Sequence, residues 1–99
     1  MHREDMLLIQ SPAAQQMQAY CRDLGCQLGL DLAYVSWRID EVPSCAHAPY
    51  KLTVKVAPLG LLWFWFTRDE IAGYGTGAFT ARVQARMRAD LEDCRRHAA

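Results

Sequence analysis

The sequence predicts an α+β fold: a two-layer sandwich in which a three-stranded antiparallel meander carries N- and C-terminal helices on one face, in the order α-β-β-β-α. Three observations predict it. Residues 12–24 and 78–96 carry apolar side chains at steps of three and four. Within residues 31–67, three segments alternate by two or run apolar over strand length. The links between these three are short, and consecutive strands with short links pair antiparallel. The 99 residues make one domain. At that length folding takes about 60–70% of the unfolded chain's surface out of water, enough for one core without staples.

The elements follow in order. Residues 1–10 are an N-terminal arm or an extra short strand, because residues 6–9 are an apolar run of four. Ser11 and Pro12 start a helix: a hydroxyl at the N-cap, then proline where its missing N–H costs nothing. Ala14, Met17, Cys21 and Leu24 form its apolar stripe, and Gly25 follows as a stop. In "LDLAYVSWRID", Ala33, Val35, Trp37 and Ile39 share one face, and Tyr34, Ser36 and Arg38 the other. "DEVPSCAHAP" is a loop. "YKLTVKVA" alternates again: Tyr50, Leu52, Val54 and Val56 against Lys51, Thr53 and Lys55. "PLG" at 58–60 is a tight connection, with Pro58 at the first turn position and Gly60 at a left-handed third one. Residues 61–66, "LLWFWF", are the third strand. Thr67 and Glu70 make a capping box for one or two helical turns, which "GYGTG" breaks. Phe79, Val83, Met87, Leu91 and Cys94 then mark the last helix, where Arg86 is placed to pair with Asp90.

Composition narrows the function. The apolar fraction is 52% and the charged fraction 22%, which excludes a disordered tail. Eleven basic and eleven acidic residues give a formal net charge of zero. A general attraction to nucleic acid or anionic lipid is therefore absent. Residues 6–9 are too short for a secretory signal core, and residues 61–66 too short to span a bilayer. The expected setting is the cytoplasm with no membrane attachment, and the four cysteines are expected as reduced thiols.

The informative feature is the second face of the sheet. A three-residue connection at 58–60 places Ala57 opposite Leu61, Lys55 opposite Trp63, Thr53 opposite Trp65 and Lys51 opposite Thr67. On the other face Val56 meets Leu62, Val54 meets Phe64 and Leu52 meets Phe66. The second set belongs under the helices, and a one-residue slip would bury lysines. The outer face then holds Tyr34, Ser36, Arg38, Lys51, Thr53, Lys55, Leu61, Trp63 and Trp65: three aromatics, three cations and no acid. Adjacent exposed tryptophans make an apolar patch of the size that usually has a partner.

The reading is a small non-enzymatic interaction module. Its contact residues are Tyr34, Arg38, Lys51, Lys55, Leu61, Trp63 and Trp65. The first expectation is a homodimer through this face, since twofold dimers are the commonest oligomers. The next is docking of another protein, because tryptophan, tyrosine and arginine anchor interfaces. The alternative is a nucleic-acid platform with bases stacked on Trp and Tyr and phosphates held by Lys and Arg. Zero net charge weighs against it.

The element order also resembles double-stranded-RNA-binding domains, with "HAPYKLTVKV" similar to their loop and second strand and "GYGTG" similar to their glycine turn. That family grips phosphates with a lysine pair at the start of its last helix. Here the stretch reads "AFTAR", without lysine, so the RNA grip does not carry over.

Other chemistries find no complete motif, and no catalytic, cofactor or metal site is expected. "GYGTGA" lacks the strands that a dinucleotide fingerprint needs on both sides. Cys21, Cys26, Cys45, His47, Cys94 and His97 lack zinc-knuckle spacing. Cys45 and His47 share a loop, but a nucleophile–base pair needs contact and an orienting third group.

Overall fold

A computed structural model describes residues 3–39, 49–57 and 60–98. Its elements are α1 (Arg3–Ile9), α2 (Pro12–Gln27), β1 (Asp31–Ile39), β2 (Tyr50–Ala57), β3 (Gly60–Phe66), α3 (Arg68–Ala72) and α4 (Ala78–Ala98). The strands form one antiparallel sheet in the order β1-β2-β3. This is the α+β meander with helices at both ends. The "DEVPSCAHAP" loop through residue 48, and the connection at residues 58 and 59, lie outside the described residues.

The N-terminal arm is a helix, not a strand. Glu4 and Asp5 occupy the first turn of α1, where they complement the helix dipole. Leu8 and Ile9 pack on the core while Leu7 stays 58% exposed. A strand would have sent neighbours 8 and 9 to opposite faces. Ser11 then joins two helices at once: its hydroxyl donates to the Leu8 carbonyl at 2.6 Å and accepts from the Ala14 amide at 3.2 Å. Helix α2 passes Gly25, the expected stop, and ends two residues later at Gln27, and Gly29 takes the left-handed conformation at φ 74°.

The core lies between the helices and one sheet face. Met17, Cys21 and Leu24 of α2 and Val83, Met87 and Leu91 of α4 are fully buried with Val35, Leu52, Val54, Val56, Phe64 and Phe66. Phe66 is enclosed by rings and a cation: Trp37 lies 5.7 Å away at 60°, and the Arg86 guanidinium sits 4.5 Å above it. The Trp37 indole donates to the Ala14 carbonyl at 2.9 Å, tying β1 to α2.

One register and one face assignment differ from expectation. Strand β3 is displaced by two residues along β2: Thr53 pairs with Trp63, Lys51 with Trp65, Lys55 with Leu61, and Leu52 with Phe64. The ladder closes at Val56 and Gly60, so Gly60, at φ 113°, opens a strand rather than completing a turn. A two-residue slip leaves every side chain on its own face, so burial pattern alone does not distinguish the registers. In β1 a bulge falls between Leu32 and Tyr34. It turns Ala33 outward, and Leu32 takes its place against the core.

Around the sheet end, Thr67 caps α3 with a complete capping box, Glu70 returning to the Thr67 amide at 2.9 Å. Glu70, only 7% exposed, also accepts from Arg86 at 3.1 Å. Arg86 thus pairs with Glu70 and not with Asp90, which is exposed.

Candidate functional site

With all four helices packed away from it, the outer face is laid out as three rows across the sheet. Arg38, Lys51 and Trp65 align in one row; Ser36, Thr53 and Trp63 in the next; Tyr34, Lys55 and Leu61 in the third. Period-two alternation delivers these side chains to one side, and the bulge at Ala33 brings Tyr34 into line with Lys55.

The surface is open where it is most apolar. Trp63 and Leu61 are each 48% exposed and Tyr34 42%. Arg38 and Lys55 are exposed, and Lys51 and Trp65 half-buried. Arg38 and Lys51 stand directly opposite one another, an arrangement that like charges disfavour. Lys51 leans toward the indoles instead, its ammonium 5.2 Å from the Trp65 ring and 5.7 Å from that of Trp63. The ring faces attract the cation, so Lys51 and the two tryptophans form one cluster.

Thr53 occupies the centre. It is 4% exposed, and its hydroxyl has no hydrogen-bond partner among the described residues. Alternation placed Thr53 on the outer face but gave no sign of its burial, which comes from the larger side chains around it.

The remaining chemistry does not converge. Among the described residues no group of three or more His, Cys, Asp or Glu side chains could hold a metal ion. Burial pushes the Cys21 thiol up to about 12, against a small opposing pull from Arg22. Cys94 is raised too, by burial and then by Asp93 and Asp90. Neither is poised as a thiolate. Cys26 is exposed, and Cys45 and His47 lie outside the described residues. In the glycine turn, the Gly75 amide is taken by the Thr80 hydroxyl at 2.6 Å, and Gln84 holds the Tyr74 hydroxyl at 3.0 Å. No described helix is long and apolar enough to cross a membrane.

Comparison with known proteins places nothing beside this chain: no family model, curated protein or solved structure matches it.

Proposed function

We propose that this chain is a non-enzymatic docking module, and that its outer sheet face receives another protein carrying carboxylates around an apolar centre. One observation carries the reading: a half-exposed Trp63, flanked on β3 by Leu61 and Trp65, shares its face with three cations, Arg38, Lys51 and Lys55, against one acid, Asp31, at the sheet end opposite Ala57. The apolar middle supplies burial, and Arg38, Lys51 and Lys55 supply selectivity for acidic rims. A second copy stacked on the same face would set these three cations against themselves in a drying interface, so the face favours a partner of opposite charge. A nucleic acid fits less well. Lys51 stands over both indoles, where a base would stack, and the net charge of zero provides no wider attraction to phosphates.

The test is selection from an unbiased peptide library on the native chain, followed by affinity measurement on a Lys51→Glu, Lys55→Glu variant. Expected are peptides that combine Asp or Glu with Trp, Phe or Leu, and that bind the variant at least tenfold more weakly, about 1.4 kcal/mol. Peptides without acidic bias, or with equal affinity for both proteins, overturn the reading. So does saturable quenching of tryptophan fluorescence by a single-stranded oligonucleotide, which would assign the face to nucleic acid.

A further inference from the structure

The two edges of the sheet are treated differently. On β1 the edge is blunted three ways. Asp31 and Arg38 place charges on it, the bulge at Ala33 interrupts it, and the Gln18 side-chain amide donates to the Val35 carbonyl. These are devices that prevent strand addition. Strand β3 has none of them. Its seven residues, Gly60–Phe66, contain no charge, no proline and no bulge, and about half of its backbone N–H and C=O groups point away from β2. At the start of β3 a groove separates the strand from the end of α4, lined by Gly60, Leu61, Leu62, Asp93, Cys94 and His97.

We infer that the β3 edge pairs antiparallel with the β3 edge of a second copy, joining two meanders into one six-stranded sheet. Full overlap of Gly60–Phe66 centres the twofold axis on Trp63, with the axis perpendicular to the sheet. Trp63 then meets Trp63 of the second copy, and Leu61 meets its Trp65. Because opposed residues in an antiparallel pair share a face, both sets of helices stay on one side and both outer faces on the other.

Charge selects this mode over stacked faces. No charged side chain lies on β3, so none is brought against its copy at the new ladder. The nearest like charges on the outer face, Lys51 and Lys55 of the second copy, stand three strand spacings apart, about 14 Å. That exceeds the screening length of about 10 Å at 0.1 M salt. Stacked faces would bury the same cations against one another. The pairing goes beyond the docking reading and does not depend on it, since the joined outer face stays open to a partner.

Sedimentation and amide exchange on the unaltered chain test the inference together. The expected result is a monomer–dimer equilibrium in which exchange within Gly60–Phe66 slows at least tenfold as dimer forms, while Asp31–Ile39 is unaffected. Trp63→Lys, which sets two lysines face to face at the axis, should weaken dimerisation at least tenfold. Arg38→Glu, remote from the edge, should leave it unchanged. A chain that stays monomeric at every concentration overturns the pairing. So does a dimer whose Gly60–Phe66 exchange is independent of concentration, or one that Arg38→Glu dissociates. Loss of acidic-peptide binding with dimerisation intact counts against the docking reading alone.

Discussion

Tyr50 shows how one buried polar group fixes an otherwise peripheral helix. Its ring is 2% exposed, and its hydroxyl donates to Asp5 of α1, whose carboxylate also binds Arg68 of α3 at 2.9 Å. Burial first, and then the adjacent Asp5 carboxylate, push the phenol from its ordinary value of 10.0 up to about 12. A raised folded-state value means that the neutral phenol stabilises the fold. Its contribution is complete below about pH 10 and is lost as pH rises toward about 12. The difference in tyrosinate absorbance between the parent and Tyr50→Phe isolates this one group, and a midpoint near 12 is expected. The parent should also lose urea stability across that window, while Tyr50→Phe should not lose this increment. A midpoint near 10 would mean that the hydroxyl is hydrated and the Asp5 contact absent. Nothing in the sequence marked Asp5 and Tyr50 as partners, because they are 45 residues apart and meet only once α1 is a helix.

Among the elements, α2 and β1 meet at a close approach that uses a glycine for lack of bulk. Gly25 is buried in the last turns of α2, and a Cβ there would lie 2.3 Å from Leu32 Cδ1 and 2.7 Å from Cγ. Alanine gains about 1 kcal/mol of helix propensity, but forcing Leu32 aside costs about 1–3 kcal/mol. Gly25→Ala is therefore expected to destabilise by about 1 kcal/mol, by the same two terms. In a Leu32→Ala background it should instead stabilise by up to about 1 kcal/mol. Denaturant unfolding of the four proteins in this cycle measures the coupling, and simple additivity would show that the two residues do not touch. The same pair explains what alternation could and could not foretell. The period-two pattern put Val35, Trp37 and Ile39 against the helices, as found, but Leu32 reaches that face only through the bulge at Ala33. A bulge changes the face without changing the composition, so it leaves no mark in the hydrophobic pattern. Likewise the apolar run at residues 6–9 fits a strand by content, and only its helical packing shows which side chains are buried.

At the scale of the molecule, the decisive quantity was legible early: two amphipathic helices cover one face of a three-stranded sheet, and "LLWFWF" has apolar side chains on both. The structure leaves the second set uncovered, with the helices all on the first. Faces follow from parity, which a two-residue register difference preserves; rows across the sheet do not, so the opposition of Arg38 to Lys51 and the centring of Thr53 had to be seen. This division makes neighbouring residues do different things. Phe64 is 2% exposed in the core, whereas Trp63 beside it is 48% exposed on the outer face. Truncating Phe64 removes a packed ring and leaves a cavity, at about 3–5 kcal/mol. Truncating Trp63 removes roughly half a side chain's burial and one cation–π contact, about 1–2 kcal/mol in all. It also opens the unpartnered Thr53 hydroxyl, its cross-strand neighbour, to water, which offsets part of that loss. Urea unfolding of Phe64→Ala and Trp63→Ala at dilute protein should therefore differ by at least about 1 kcal/mol. Equal losses would make Trp63 a structural residue, and the outer face would no longer need a partner to account for it.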